Sequence, residues 1–524
     1  MSRRFNTAGP CRPDLHYMIP AAQRLPEAPL LVEQASYFVL HAPRQTGKTT
    51  TLRALAEELT ASGRHAALHF SCETGETAGD DYAAAQRAIL DSIRKRAEQA
   101  LPPELRPPPF PSASDTGLLV GALGAWAEAC PRPLALFFDE IDALRGQGLL
   151  SVLRQLRAGF PERPDHFPAS VILCGLRDVR DYKAQSGGDP SRLGTSSPFN
   201  VKVESIRLGD FTQDEVRALY GQHAAETGQQ FTDGAIARAV ELTGGQPWLV
   251  NAVGREIVEK MQVPPVEAIT AAHVEEAKER LILARATHLD SLVARLLEPR
   301  VRRVLEPLLE GGFAGGDTYD DDASYVRDLG LVAPDRPLRI ANPIYREVIV
   351  RVLASPAEDA IAVDPRAFVR ADGRFDIERL LREFAAFWRE HGAVLAGRMP
   401  YNEVAPQLVL MAYLERVVNG GGHVDREYGV GRGRIDLLVR WPHTGEDGKR
   451  AWQREAIELK VWRAGEKDPL PKALAQLDAY LDGLSLPTGV AVIFDRRPAA
   501  DPESCTRFEE ALTPSGRRVT VLRA

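Results

Sequence analysis

The sequence predicts an α/β protein that begins with a parallel β-sheet, continues with helices and ends in a second α/β region. Three observations support this prediction. A buried-strand pattern, Tyr37 to His41, runs into a glycine-containing loop and then a helix. A second apolar run, Pro133 to Glu140, ends in two acids. Strand patterns also alternate with helical patterns as far as Cys174, which is typical of a parallel sheet covered by helices on both faces.

The loop after the first strand has the pattern of a phosphate-binding loop. Its sequence is Ala42-Pro43-Arg44-Gln45-Thr46-Gly47-Lys48-Thr49-Thr50. A tight loop at a helix N-terminus directs several backbone N–H groups into one concavity, where the helix dipole also favours negative charge. In this pattern Lys48 reaches the β- and γ-phosphates, and the Thr49 hydroxyl binds Mg²⁺. We therefore predict that residues 42–50 bind ATP with Mg²⁺, and that Ala42 is small enough to replace the usual first glycine.

Two acids and an arginine are expected to complete this site. Asp139 would hold the Mg²⁺ shell, and Glu140 would polarise the attacking water. The alternative to this role is a plain strand that ends in a charged turn. The phosphate loop lies upstream at the separation that one more strand and helix would leave, and this favours a nucleotide site. Arg177 follows the next strand, Ala169 to Cys174, at the same edge of the sheet. It is either a sensor of the γ-phosphate or a surface or ion-paired arginine.

Composition narrows the class of protein. The chain has 524 residues, of which 44% are hydrophobic and 26% charged, so we expect two to four globular domains. Five scattered cysteines without a CxxC pair indicate a reducing, cytoplasmic location. No apolar run is long enough to span a bilayer, so no membrane contact is expected. Because the net charge is −7, any contact with nucleic acid must come from a local patch, and the sequence does not show one.

Six segments are predicted along the chain. They are an N-terminal arm (1–35), a P-loop ATPase core (36–208), a helical lid (209–285), a winged-helix-like domain (286–354), a linker with a helix (355–398) and a C-terminal domain (399–524). In the arm, Tyr17 either contacts the nucleotide base or belongs to an ordered segment. The first helix of the lid is predicted to begin after Thr212 as N-cap, where Glu215 completes a capping-box pattern. The winged-helix-like segment either binds DNA or only packs.

A second chemical centre is predicted in the C-terminal domain. After a helix from Tyr401 to Val418, three strand patterns are expected to form an antiparallel set. Side chains alternate along a strand, so Glu458 and Lys460 project together, and Asp436 on the neighbouring strand approaches the same point. Two carboxylates and a lysine would hold one or two Mg²⁺ ions, with Lys460 orienting or deprotonating the attacking water.

Two of these patterns resemble known families of ATPase. The order of strands around the nucleotide motifs resembles the additional-strand P-loop ATPases, including the AAA+ and STAND groups. Gly245-Gln246-Pro247 resembles the Gly-x-Pro motif in the lid of STAND and origin-recognition-type ATPases. That resemblance implies that Pro247 lies against the nucleotide base. A plain corner between two helices is the alternative.

The C-terminal pattern resembles the PD-(D/E)xK nuclease superfamily, which implies a restriction-endonuclease-like fold. Asp436 matches the first acid, Glu458 and Lys460 the second half of the motif, Gln476 a glutamine on the following helix, and Glu403 a helix-borne glutamate. Ile435 stands where the family usually has proline. The resemblance implies catalytic roles for Asp436, Glu458, Lys460 and Gln476, and metal binding by Glu403, Asp436 and Glu458. A structural salt-bridge cluster or a decayed nuclease core is the alternative.

The whole chain resembles bacterial ATPases that join a P-loop module, a helical lid and a winged helix to such a nuclease domain. The resemblance implies that ATP controls metal-dependent cleavage of nucleic acid, with DNA expected rather than RNA, and that nucleotide promotes a homo-oligomer. A second hypothesis is a STAND-type signalling or scaffolding switch whose C-terminal domain is not catalytic.

Overall fold

The structure is a computed structural model, and the chain divides into two compact units. The structure describes residues 3–177, 201–284, 289, 293–309, 321–358, 365–398, 405–418, 421–430, 433–445, 449–497 and 506–524. At 355–358, 393–398, 426–430 and 433–434 it describes the backbone alone. Unit 1 comprises residues 1–290 and 316–344, and unit 2 comprises 291–315 and 345–524. The chain therefore passes between the units three times. The six predicted segment boundaries remain predictions.

Unit 1 contains the predicted parallel sheet. Its strands are β1 (Tyr37–His41), β2 (Ala66–Ser71), β3 (Leu134–Asp139), β4 (Ser170–Gly175) and β5 (Glu204–Arg207). Their order is β2-β3-β4-β1-β5, and every neighbouring pair is parallel. Because β4 lies between β1 and β3, the phosphate loop and the two acids leave the same edge of the sheet one strand apart. The parallel sheet is thus confirmed, whereas β5 was not predicted.

Helices cover both faces of this sheet. In chain order they are α1 (Ala21–Arg24), α2 (Ala28–Glu33), α3 (Lys48–Ala61), α4 (Tyr82–Ala100), α5 (Leu118–Ala129) and α6 (Gly146–Gly159). Successive side chains of β3 belong to different cores: Phe137 packs with residues of α3, and Phe138 packs with residues of α4 to α6. This double burial explains why the strands are almost continuously apolar in sequence.

The predicted lid is a set of capped helices. They are α7 (Gln213–Thr227), α8 (Asp233–Thr243), α9 (Pro247–Arg255) and α10 (Ala271–Leu283). Thr212 and Glu215 form the expected capping box, since the Glu215 amide donates to the Thr212 hydroxyl at 3.2 Å and the Thr212 amide donates to Glu215 at 2.8 Å. Gly244 ends α8 in the left-handed conformation, and Pro247 opens α9, as the sequence indicated.

The N-terminal arm packs against α7. Phe5 and Tyr17 are both buried, and their ring centroids lie 4.9 Å apart. The Tyr17 hydroxyl lies 3.3 Å from Nδ1 of His223. Phe231 adds an edge-on contact to Phe5. This packing supports the interpretation of an ordered arm and not the interpretation of Tyr17 as a base contact.

The region predicted as a winged helix is shared between the units. It contains α11 (Pro299–Leu309), α12 (Asp321–Asp328) and α13 (Pro343–Glu358). An isolated antiparallel bridge joins Val332 to Ile340. Helix α11 belongs to unit 2 and α12 to unit 1, while α13 crosses the boundary. The winged-helix assignment stays a prediction.

Unit 2 is built on a mixed sheet of six strands. Its remaining elements are α14 (Ile377–Arg398), α15 (Ala405–Val418), β6 (His423–Val430), β7 (Gly433–Thr444), β8 (Arg450–Trp462), α16 (Leu470–Leu484), β9 (Thr488–Asp495), β10 (Arg507–Leu512) and β11 (Arg518–Arg523). The order is β10-β11-β9-β8-β7-β6. As predicted, β6, β7 and β8 pair antiparallel; β9, which was not predicted, pairs parallel with β8 and β11. Leu477 of α16 packs with Leu438 and Ala456 on one face of the sheet.

Candidate functional site

The phosphate loop curls around the ammonium group of Lys48. Its Nζ donates hydrogen bonds to the carbonyl oxygens of Ala42 at 2.7 Å and Pro43 at 2.8 Å. Gln45 and Gly47 adopt positive φ values of 60° and 89°, which turn the chain into helix α3. Burial lowers the pKa of Lys48, and the nearby carboxylate of Asp139 opposes that shift. The lysine charge therefore lies within the loop, at the N-terminus of α3.

The Asp139 carboxylate meets the start of α3. Its Oδ2 accepts a hydrogen bond from the Thr49 hydroxyl at 2.7 Å and lies 2.8 Å from Nε2 of His69. Burial disfavours the charged form of Asp139, but the bonds with His69 and Thr49 outweigh it and lower the pKa to about 2. A charged carboxylate beside a hydroxyl is the donor set that Mg²⁺ prefers, so Thr49 and Asp139 fit the predicted ion.

Glu140 is held next to Asp139 in an unusual backbone conformation. Its φ is 55°, and its amide donates to Oδ1 of Asp139 at 2.9 Å. The Ser71 hydroxyl donates to its carboxylate. Burial raises the pKa of Glu140, and the charge of Asp139 adds to the effect even though the Ser71 hydrogen bond opposes it. A carboxylate with a raised pKa is better suited to accept a proton from water.

Strand β2 contributes two side chains to this site that were not predicted from the sequence. His69 and Ser71 contact Asp139 and Glu140, respectively. Both depend on the register between β2 and β3, in which Ser71 lies beside Asp139. The available signal was a pair of polar residues at alternate positions near the end of an apolar strand, since alternate residues share a face.

The other predicted nucleotide-binding residues lie around the loop. Pro247 is buried next to Gln246, whose side-chain amide donates to the carbonyl of Gln45 at 3.4 Å. The Thr50 hydroxyl accepts a hydrogen bond from the amide of Cys11 at 3.0 Å. Arg44 is exposed, and Thr46 is buried with its hydroxyl bonded to Pro43. The start of the lid and the arm both reach the loop.

Arg177 and the segment after α12 also lie on this side of unit 1. The Arg177 guanidinium lies 4.2 Å from the ring centroid of Tyr325 in α12. Its role as a γ-phosphate sensor stays a prediction. Gly330, at φ 80°, lies against Pro43 so closely that an added Cβ would be 2.7 Å from the Cβ of Pro43. The chain after α12 therefore contacts the phosphate loop directly.

Unit 2 brings together three of the residues predicted for its own site. Leu437 of β7 pairs with Ile457 of β8, and this register sets Asp436 beside Glu458. The Lys460 ammonium bonds to the Glu458 carboxylate and lies 3.9 Å from Oδ2 of Asp436. The backbone amide of Leu459 donates to the same Asp436 oxygen at 2.8 Å. Two carboxylates and one lysine converge on one point of the sheet.

Among the described residues of unit 2, two buried side-chain oxygen atoms lack partners, one in this cluster and one on helix α16. Within the described part of the chain, Oε2 of Glu458 and Oε1 of Gln476 have no hydrogen-bond partner. Burial raises the pKa of Asp436 and of Glu458, and for Glu458 the charge of Asp436 adds to the effect. Oxygen atoms that lack a donor fit a divalent cation. Glu403 lies outside the described residues. Among the described residues, no group of three or more His, Cys, Asp or Glu side chains is placed so that it could hold a metal ion.

One family model matches the part of the chain that contains the phosphate loop and the two acids. Residues 32–182 match the family model of the AAA domain. None of the curated proteins compared with the chain matches it. No described helix is both long and apolar enough to cross a membrane.

Several solved structures are similar to the chain at low identity. The Walker-type ATPase of Pyrococcus abyssi is 15% identical and has a TM-score of 0.47, with 66% of this chain and 99% of that chain covered. The RuvB Holliday junction branch migration motor of Thermotoga maritima is 15% identical, with a TM-score of 0.34 and coverages of 63% and 92%. The Orc1 protein of Aeropyrum pernix, solved in complex with DNA, is 14% identical, with a TM-score of 0.35 and coverages of 64% and 93%. The family match and the parallel sheet together support an ATP-binding P-loop ATPase domain of the AAA type in residues 32–182.

Proposed function

We propose that the chain hydrolyses ATP and that its nucleotide state controls a metal-dependent nuclease site at Asp436, Glu458 and Lys460. The observation that carries this proposal is the buried, unpartnered Oε2 of Glu458, whose other carboxylate oxygen bonds to Lys460 beside Asp436. Leaving such atoms unpaired costs free energy, so a protein that retains them usually has a ligand for them. The Asp436 carboxylate on the neighbouring strand supports a divalent cation as the ligand of the Glu458 oxygen.

At the nucleotide site, each residue has a role that its contacts support. Lys48 would exchange the carbonyls of its own loop for the β- and γ-phosphates, because its ammonium already lies at the N-terminus of α3. Glu140 would accept a proton from the attacking water, held in place by Ser71. Thr49 and Asp139 would hold Mg²⁺, which supplies positive charge at the phosphate oxygens. Pro247 would contact the base, and Arg177 would report on the γ-phosphate.

At the second site, Asp436 and Glu458 would hold the cation, together with Glu403. Mg²⁺ bound there supplies charge stabilisation for a phosphodiester in the transition state. Lys460 would position the attacking water from the same face of β8, and Gln476 would hold it from α16. Nucleic acid, with DNA expected rather than RNA, is the proposed substrate. The four unpaired cysteines in the described residues favour a reducing location such as the cytoplasm.

The proposal is tested by cleavage of labelled single- and double-stranded DNA and RNA with Mg²⁺ or Mn²⁺, with and without ATP. Wild type should cut at least one substrate, and Lys460→Ala should lose cleavage while hydrolysing ATP normally. Lys48→Ala should lose ATP hydrolysis and any ATP effect on cleavage. Lys278→Ala is the matched control, because Glu276 and Lys278 have the same acid-x-Lys spacing on helix α10. Equal cleavage by Lys460→Ala and wild type would refute the nuclease assignment.

One observation favours the second function, a STAND-type switch with a non-catalytic C-terminal domain. Lys460 already bonds to Glu458 and lies close to Asp436, as the lysine of a purely structural ion cluster would. In that case ATP should change the mass of the particle in light scattering, through homo-oligomer formation, and no substrate should be cut under any metal condition. An ATP-dependent mass change combined with cleavage would instead support a gated nuclease that assembles.

A further inference from the structure

The exposed end of strand β8 carries a row of cationic and aromatic side chains. Arg450, Trp452 and Arg454 occupy alternate positions and are exposed, while the residues between them are half-buried. On β7, Arg440 pairs with Arg454, and His423 of β6 pairs with Arg440. We call these five side chains the Trp452 row. Because the five side chains come from three strands, no single segment of the sequence contains them all.

The indole of Trp452 forms the centre of the row. Trp452 is 39% exposed. The Arg450 guanidinium lies 4.9 Å from its ring centroid, the Arg440 guanidinium 5.8 Å, and the His423 ring 5.9 Å. The row thus places a partly exposed indole beside two guanidinium groups and an imidazole ring.

Only part of this positive charge is compensated. Arg440 forms a two-pronged ion pair with Asp425 on β6. Among the described residues, neither Arg450 nor Arg454 has an ion pair. Two guanidinium groups are therefore available beside Trp452 for an anionic partner.

The row lies on the same face of the sheet as the acid pair. Side chains of a strand alternate between faces, so Trp452, Arg454 and Glu458 project to one side of β8. Helix α16 covers Ala456, which lies between the open and the buried parts of this face. Glu458 follows Trp452 by six positions, which is about 20 Å along an extended strand. A chain lying along the row would point towards the site at Asp436.

We propose that the Trp452 row binds single-stranded nucleic acid, with a base stacked on Trp452 and backbone phosphates at Arg450 and Arg454. Every base has a π-face, so stacking on an indole tolerates any sequence, and arginines supply the salt-sensitive phosphate contacts. Bases in a duplex are stacked on each other, which leaves a single strand as the better occupant. This inference rests on the proposed function, because it identifies the substrate strand of the same unit.

The test is binding of fluorescein-labelled oligo(dT), oligo(rU) and a DNA duplex to the full chain, with a chelator present to prevent cleavage. Trp452→Ala should raise Kd for the single strands about 5- to 100-fold, and Trp452→Phe should restore most of the affinity. Arg450→Ser should reduce the slope of log K against log salt by about 1. Phe508→Ala is the matched control, because that ring is 40% exposed on β10 of the same sheet.

The outcomes separate this inference from the proposed nuclease. Cleavage by wild type, together with unchanged binding by Trp452→Ala, would overturn the row and leave the nuclease standing. Binding that depends on Trp452 without cleavage would support the row and refute the nuclease. Absence of single-strand binding, or equal weakening by Phe508→Ala, would overturn the row. A difference between oligo(dT) and oligo(rU) would identify which nucleic acid it prefers.

Discussion

The Thr49 hydroxyl donates a hydrogen bond of 2.7 Å to Oδ2 of Asp139, although 90 residues separate the two along the chain. This bond joins the helix after the phosphate loop to the strand that carries the two acids. His69 contacts the same carboxylate oxygen from β2. Three elements of unit 1 thus meet at the oxygens predicted to bind Mg²⁺.

Removal of the Thr49 hydroxyl should impair ATP hydrolysis more than stability. Thr49→Ala takes away one proposed Mg²⁺ ligand and one donor to Asp139, and we expect the rate to fall about 100-fold or more. Raising the Mg²⁺ concentration should recover part of the loss. Steady-state ATPase assays over a Mg²⁺ titration measure this. Ser62→Ala, which removes a hydroxyl just beyond the C-terminal end of the same helix, should hydrolyse ATP like wild type.

The contact of Gly330 with Pro43 predicts a selective effect on nucleotide binding. Gly330→Ala and Gly228→Ala both place a side chain at φ 80°, which costs about 1–2 kcal/mol of unfolding free energy. Only at Gly330 would the new Cβ also overlap Pro43 of the phosphate loop. We therefore expect weaker ATP binding in Gly330→Ala alone, measured by calorimetry beside thermal unfolding. Equal ATP affinity in the two variants would show that the contact does not influence the loop.

Protonation of Glu455 should make unit 2 more stable at low pH than at high pH. Burial raises its pKa above 4.5, and this effect outweighs the hydrogen bond from Gln453 and the attraction of Arg370. The folded chain then holds this proton more tightly than the unfolded chain. The resulting stability is present below pH 4.5 and is lost as the pH rises through the folded pKa.

Glu455→Gln should therefore raise the unfolding free energy at pH 8 and approach wild type near pH 4.5. The amide keeps an oxygen that can accept from Gln453, which bonds to Glu455 at 2.8 Å. Urea unfolding followed by circular dichroism across this pH range provides the measurement. Glu510→Gln, at an exposed position of β10, is the control and should leave the pH profile unchanged.

The aromatic contacts of the arm predict a large loss of stability for Phe5→Ala. Phe5 is 2% exposed and packs on Tyr17, Tyr220 and Phe231. Truncation should cost about 3–5 kcal/mol in the unfolding of unit 1, and Phe5→Leu should cost less. Chemical denaturation detects both changes. A loss below 1 kcal/mol in Phe5→Ala would mean that the arm contributes little to folding.

Much of the first unit could be predicted because its signals are local. The strands β1, β3 and β4 are continuous apolar runs, and the structure places each within one residue of its predicted bounds. Strand β5, Glu204–Arg207, is short and only partly buried, so it has no such run. The roles of His69 and Ser71 were missed because they depend on the register between strands, which hydrophobic pattern does not fix for a parallel sheet buried on both faces.

The second unit shows the same limit. Alternation along β8 correctly set Glu458 and Lys460 on one face beside Asp436. The Trp452 row was not predicted because its members come from β6, β7 and β8. Residues 365–524 contain 25 basic and 23 acidic residues, so the charge of this region does not indicate a basic surface. Strand β9 was not predicted, although Val490 to Phe494 is an apolar run typical of a buried strand.

The three passages of the chain between the units determine how the protein can be dissected. A fragment that begins at residue 345 lacks residues 291–315, and with them helix α11, whose buried Val301, Leu305 and Leu308 belong to unit 2. The complementary fragment, 1–344, carries that helix without the unit it belongs to. A single protease cut at any one of these three passages therefore cannot separate the two complete units from each other. Separate production of either unit therefore requires a circularly permuted or two-piece design.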